Sequence, residues 1–361
     1  MNALILNSAQ GKYPRASEPW AENASRAVKY IADAGYTALV SGDPLPWDFT
    51  SWLTAIERMP LTFIVPGEKG EISGAGFDSL PDEYGFERER ASLSFIGGSS
   101  GGGYKQAWRE RDLFAIKHAD LILPISIRSG GRLERLINGR APHVKLCNDF
   151  KCEWGPVKHA ESYDFEEKIV NPLPHGDWII HWTRASQGPW PDERKQDFFK
   201  DFAARPNEYV RSALDTLKRI VASKQILGSA THMPGGMKAV SCSSLSIEDA
   251  LPLMRWRKRY SRYTFEAFGL GIRREAFMRA GGREVTYRDR KSSPDGLDPL
   301  FIQSPGEIGD WTKEREWRIK GDLAIDTIDR DDIILIVPDM SAQESLIASG
   351  MDVCVHRMFD A

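Results

Sequence analysis

Along the first 146 residues, short apolar runs alternate with segments whose apolar positions return every three or four residues. Residues 3–6 read as a buried strand, and residues 23–34 as a helix whose Ala24, Ala27, Val28 and Ile31 share one face, stopped by Gly35. The alternation continues with predicted strands at 37–41, 61–65, 121–127 and 143–146, and predicted helices at 49–57, 104–119 and from 132 to 137. Strands separated by helices ask for a parallel sheet with covering helices. Residues 67–103 break the rhythm and end in Gly97-Gly98-Ser99-Ser100-Gly101-Gly102-Gly103. Without the Lys-Ser/Thr ending of a phosphate loop or the spacing of a dinucleotide fingerprint, that stretch reads as a linker rather than a phosphate cradle.

Residues 147–177 read as a charged, proline-rich connector. Beyond it a strand is predicted at 178–182 and a helix over 210–226, with Leu214, Leu217, Ile220 and Val221 on one face. Further strands are predicted at 239–243, 268–272, 284–287, 316–319 and 333–337. Few of these are separated by a crossover helix, so residues 178–361 predict an α+β domain with a mixed or antiparallel sheet.

A chain of 361 residues, 41% hydrophobic and 27% charged, is of ordinary globular composition with room for two domains. No apolar run approaches the roughly 20 residues of a membrane span, and the start lacks a signal-peptide pattern, so no membrane partner and a cytoplasmic location are expected. Four cysteines, Cys147, Cys152, Cys242 and Cys354, make no disulfide framework. The Cys147/Cys152 spacing with His159 is not that of structural zinc, so no metal is expected. The net charge of −3 argues against a surface that is basic throughout.

Two stretches of the first half carry a resemblance. Leu39-Val40-Ser41-Gly42-Asp43 ends a predicted strand, and the helix and strand of 109–124 are followed by Arg128-Ser129-Gly130-Gly131-Arg132-Leu133. This order resembles the Rossmann-like domain of DNA-processing protein A and the related SLOG nucleotide-binding domains. It implies a phosphate or nucleotide held by Gly42, Ser129, Gly130 and Gly131, with Arg109, Arg111, Arg128 and Arg132 nearby. The departure is at the first turn, where Gly42-Asp43-Pro44-Leu45-Pro46 carries two prolines in place of a glycine-rich loop.

In the second half, Ile179-Ile180-His181-Trp182-Thr183-Arg184 is followed by Val240-Ser241-Cys242-Ser243-Ser244 and, later, by Trp311-Thr312-Lys313-Glu314-Arg315-Glu316-Trp317-Arg318. This order resembles the ADP-ribosyltransferase fold, and domains of bacterial defence systems with a Trp-x-x-Glu-x-Glu-Trp-Arg signature. The resemblance implies NAD as co-substrate, Glu316 as principal carboxylate, Glu314 as second, His181 and Thr183 orienting the ribose, and Ser241 lining the pocket. The chemistry asks for such groups independently. Breaking a nicotinamide glycosidic bond develops positive charge on the ribose, which a fixed carboxylate stabilises, and two crowded carboxylates raise one pKa. An alternating strand would place Glu314 and Glu316 on one face.

Arg255-Trp256-Arg257-Lys258-Arg259-Tyr260-Ser261-Arg262-Tyr263 follows Ser246 and Asp249, a predicted N-cap and first-turn acid, and is predicted helical. From Arg255 to Lys291 twelve Lys/Arg face four Asp/Glu. Arginine interleaved with aromatics suits phosphate contacts and base stacking, which makes Arg255, Trp256, Arg257, Lys258, Arg259 and Arg262 nucleic-acid-binding candidates. The expectation is a nucleic-acid- or nucleotide-modifying enzyme in a bacterial defence or DNA-modification setting. Its alternatives are an enzyme acting on a modified DNA base without NAD, and a non-catalytic sensor.

Overall fold

The computed structural model describes residues 1–66, 78–96, 104–156, 165, 168–231, 233–259, 261–288, 298–306, 310–348 and 354–359. The chain forms two units, one of residues 1–158 and 187–210, the other of residues 159–186 and 211–361.

In the first unit, β1 (Asn2–Leu6), β2 (Thr37–Ser41), β3 (Leu61–Pro66), β4 (Ala91–Ile96), β5 (Leu121–Pro124) and β6 (Lys145–Leu146) form one sheet in the order β4-β3-β2-β1-β5-β6. Every neighbouring pair is parallel. Alternate residues of β1 enter two cores, Ala3 and Ile5 on one face, Leu4 and Leu6 on the other. Burial on both faces is why these strands are continuous apolar runs. The helices α1 (Pro19–Asp33), α2 (Leu45–Ile56), α3 (Leu80–Tyr84), α4 (Tyr104–His118) and α5 (Arg132–Asn138) supply the crossovers. This is the Rossmann-like architecture expected for residues 1–146.

Two elements depart from the sequence reading. The stretch 67–103, where the alternation of the sequence breaks, contains α3 and the edge strand β4, whose half-exposed residues blur the apolar signal. Its glycine run lies outside the described residues. A helix α6 (Lys195–Ala204) returns to the first unit from beyond the expected boundary. Its Phe198, Phe199 and Phe202 are fully buried with Trp20, Phe49 and Trp52.

The second unit is built on a seven-stranded sheet of β7 (Trp178–Trp182), β9 (Ala239–Ser243), β12 (Gly269–Arg273), β13 (Arg283–Glu284), β16 (Glu316–Lys320), β18 (Ile333–Val337) and β19 (Val355–Arg357). Their order is β13-β16-β9-β7-β12-β18-β19, antiparallel throughout except for the parallel pair β18/β19. The sheet is therefore mixed, as expected. One face packs Ile179, Val240, Cys242 and Trp317 against Leu217 and Ile220 of α7 (Ala213–Ser223). Ser212 and Asp215 close a capping box at the start of α7, which fixes its entry. On the opposite face Trp178, Ile180, Trp182, Ile334 and Ile336 share a second core. Gly269 and Gly271 admit it, because a Cβ there would stand 3.0 Å from Ile180 and 2.8 Å from Ile334.

The basic segment is not a helix. Ser246 caps only the single turn α8 (Ile247–Ala250), and Pro252, two residues beyond its end, has no N–H with which to continue it. Residues 255–263 instead carry a hairpin of β10 (Trp256–Arg257) and β11 (Arg262–Tyr263).

Candidate active site

The sheet order sets the first, second and a late strand of the seven-stranded sheet side by side as β7, β9 and β16. Ile180, Ser243 and Glu316 lie in one row across them. The pairing of β7 with β9 is confined to that one position. Beyond it the ring of His181 takes the Ser241 carbonyl, with Nδ1 at 3.0 Å. A cavity of about 510 Å³ opens there, and His181, Ser241, Glu314 and Glu316 all line it. Its volume is within the span of roughly 300–1,000 Å³ usual for small-molecule sites.

The two carboxylates are held differently. Glu316 begins β16 and is 9% exposed. Arg318, two residues along on the same face, grips both of its oxygens, Nε to Oε1 at 2.8 Å and Nη2 to Oε2 at 2.7 Å. Arg318 also donates to the Leu300 carbonyl at 2.6 Å and to Gln303 Oε1 at 2.8 Å, and the Glu316 N–H donates to the Tyr287 hydroxyl at 2.9 Å. A planar guanidinium bonded at both prongs is the strong form of this pair.

Glu314 does not reach the cavity by strand alternation. It ends the 3-10 turn Trp311–Glu314, whose start is capped by Asp310, and the following Arg315 sits at φ 43 in the left-handed region. Ser243 Oγ secures this geometry by donating to the Glu314 carbonyl at 2.7 Å. The Glu314 Oε1 atom is buried without a hydrogen-bond partner among the described residues. Arg257 Nη2 lies 3.6 Å away, near enough for charge attraction and too far for a hydrogen bond. Burial, reinforced by the charge of Glu316, pushes the Glu314 carboxyl up to about 7, against the opposing pull of Arg257, Arg184 and Arg262. Arg257 is itself positioned, with Nε donating to Thr264 Oγ1 at 2.6 Å and its guanidinium 4.7 Å over the Trp311 ring.

Burial pulls His181 down to about 4, so its imidazole is neutral at neutral pH. A carbonyl only accepts, so Nδ1 carries the proton to Ser241 and Nε2 is left as an acceptor. Thr183 is not part of the cavity. It is 1% exposed and its hydroxyl is engaged with the Ala213 and Phe268 carbonyls at 3.0 and 3.2 Å. Cys242 is a packed thiol, pushed up first by burial and then by Glu316.

The six basic-segment candidates divide. Arg257 and Arg262 face each other across the hairpin and line the cavity; Arg255, Lys258 and Arg259 are exposed, and Trp256 is half-buried against Tyr263. Arg184, Tyr263, Gln303, Trp311 and Arg318 also line the cavity, and of these only Gln303 lies outside the motifs quoted from the sequence. Arg184 directly follows the His-x-Thr, which was the available signal.

At the strand ends of the first unit, the candidates for phosphate binding meet the chain's own charges. The Gly42 and Asp43 carbonyls accept from Arg111, which is 2% exposed, paired with Asp112 and stacked on Trp47 at 4.4 Å. Asp112 also pairs with Arg132. Asp48 accepts from Tyr84 at 2.5 Å and from Lys195 at 2.8 Å. Burial raises the Asp48 carboxyl while Lys195 pulls it back. At the exposed second turn, Ser129 and Gly130 precede α5, and the Gly130 N–H donates to Glu134 Oε2 at 2.7 Å. A carboxylate of the chain thus takes the amide a phosphate would need. Gly131 is required by the turn, since a Cβ there would come within 2.7 Å of the Arg128 carbonyl.

Among the described residues no cluster of His, Cys, Asp or Glu could hold a metal ion, and no helix is long and apolar enough to cross a membrane. Comparison of the chain with protein-family models, with curated proteins and with solved structures gave no match in any of the three.

Proposed function

We propose that the second unit is a glycosyl-transfer enzyme of the ADP-ribosyltransferase type, which breaks the nicotinamide–ribose bond of NAD and passes the ADP-ribosyl group to an acceptor. The observation that carries this reading is Glu314, a carboxylate with one buried oxygen that has no hydrogen-bond partner among the described residues, in a cavity shared with four arginines and a neutral histidine. The residues suit such a substrate. Arg184, Arg257 and Arg262 offer charge to a diphosphate, and Nε2 of His181 is an acceptor for a ribose hydroxyl. Tyr263 and Trp311 add aromatic surface.

The carboxylates divide the work. Both oxygens of Glu316 are committed to Arg318, so Glu316 fixes the wall and sets the local charge, while Glu314 exchanges the proton. This reverses the order of the two assigned from sequence. As the C1′–N bond breaks, its electron pair goes to the pyridinium nitrogen and neutral nicotinamide leaves. The ionised Glu314 stabilises the positive charge left on the ribose. A lone pair of the acceptor then forms the new bond to C1′, and the acceptor proton passes to Glu314.

Incubating the full chain with NAD, alone and with DNA or RNA, and measuring released nicotinamide tests the reading. Release is expected from the native chain and should fall by about 100-fold or more in Glu314→Gln, the lower end for a lost acid–base group. No release with any acceptor, or a full rate in Glu314→Gln, overturns it.

A further inference from the structure

The hairpin of residues 255–263 has five basic residues and no acidic one, and the structure divides them. Arg257 and Arg262 form one cross-strand pair that lines the cavity, whereas Arg255, Lys258 and Arg259 are exposed and do not line it. Substrate charge and a second anion are therefore met by different residues of one short element. We infer that the exposed cations of this hairpin dock the acceptor, and that the acceptor is a single-stranded nucleic acid; the assignment of an acceptor rests on the glycosyl-transfer reading.

Three cations within five residues match a phosphodiester chain, whose charges recur along its length, better than an isolated anion. The acceptor atom must also reach C1′ inside a cavity of about 510 Å³. A base in a duplex is stacked and paired and must be flipped out to get there, whereas a single strand offers its bases at least cost. Trp256, half-buried in edge contact with Tyr263 at 5.3 Å, places aromatic surface beside the cations, where an unpaired base can stack. The consequence is a separation of roles along one hairpin: Arg257 and Arg262 serve the donor, and Arg255, Lys258 and Arg259 the acceptor.

Fluorescence anisotropy of a fluorescein-labelled 20-mer of thymidine with the full chain, between 50 and 200 mM salt, tests this. The native chain should bind, more weakly as salt rises. Changing Arg255, Lys258 and Arg259 together to Ala should weaken binding about tenfold or more. The slope of log affinity on log salt should become shallower by about 2, from three contacts at roughly 0.7 each on a single strand. A labelled duplex of the same length should bind several-fold more weakly. Melting of each variant is followed beside the native chain, so that affinities are compared on folded protein; the charge-reversed pair Lys258→Glu and Arg259→Glu gives an independent check in the same direction. Unchanged affinity or slope in both variants, or duplex binding equal to single-strand binding, overturns the inference. The readout needs no turnover, so absent nicotinamide release defeats only the catalytic reading. Nicotinamide release without oligonucleotide binding defeats only the acceptor.

Discussion

Replacing Glu314 by Gln should stabilise the second unit while removing its activity. Burial and the neighbouring Glu316 raise the Glu314 carboxyl from 4.5 to about 7, a value that already contains the pull of Arg257. The folded protein then holds this proton more tightly than the unfolded chain. Below about pH 4.5 both states are protonated and the group has no effect on stability. From there to about 7 the unfolded chain loses the proton first, and folding weakens by about 1.4 kcal/mol per pH unit. Above 7 the loss is complete, at about 3 kcal/mol. A glutamine has no charge to desolvate, so Glu314→Gln should exceed the native chain in stability by about 3 kcal/mol at pH 8, with the difference vanishing towards pH 4.5. Urea unfolding of both proteins at half-unit steps from pH 5 to 8, followed by circular dichroism and tryptophan fluorescence, measures it. A variant less stable than the native chain at pH 8, or a difference independent of pH, would refute the placing of an ionised, under-compensated Glu314 in the cavity.

Two further outcomes follow from the same accounting. The kcat/KM for nicotinamide release should rise with pH through about 7 and then level, because Glu314 must be ionised, while His181, held near 4, adds no inflection between pH 5 and 9; a rate that falls through 7 would instead make Glu314 a proton donor. In the first unit, Lys195→Met should cost about 3 kcal/mol by stranding the buried Asp48, and adding Asp48→Asn should recover much of it; additive losses in urea unfolding would show that the pair is not coupled.

What could be read in advance follows the strength of each local signal. Strands buried on both faces, such as Leu121–Pro124 and Ile333–Val337, write their burial into consecutive apolar letters. The edge strand Ala91–Ile96 has only one fully buried residue and left little trace. Helix Lys195–Ala204 carried its signal in Phe198, Phe199 and Phe202, but nothing in the linear order says which unit those rings join. The carboxylate pair was legible as chemistry and not as geometry. Alternation would place Glu314 on the strand, whereas the left-handed turn at Arg315 and the hydroxyl of Ser243 place it, and neither follows from the spacing. Thr183, expected beside a ribose, lies outside the cavity for a related reason: whether a hydroxyl is engaged depends on carbonyls, here those of Ala213 and Phe268, 30 and 85 residues away.

The two units differ in how their charges are answered. At the strand ends of the first, Asp48 is met by Tyr84 and Lys195, Asp112 by Arg111 and Arg132, the Gly42 carbonyl by Arg111, and the Gly130 amide by Glu134. Where these pairs are buried, as at Asp48, Arg111 and Asp112, a network satisfied from within stiffens its surroundings. A phosphate arriving there would have to compete with these pairs, although the sheet's topology is one that elsewhere opens a ligand crevice. In the second unit Glu316 is answered twice by Arg318, whereas Glu314 keeps an oxygen without a hydrogen bond among the described residues and an ion pair with Arg257 at 3.6 Å. Such a carboxylate lowers stability at neutral pH, and a group that does so in a walled cavity is one whose proton can move when a substrate arrives.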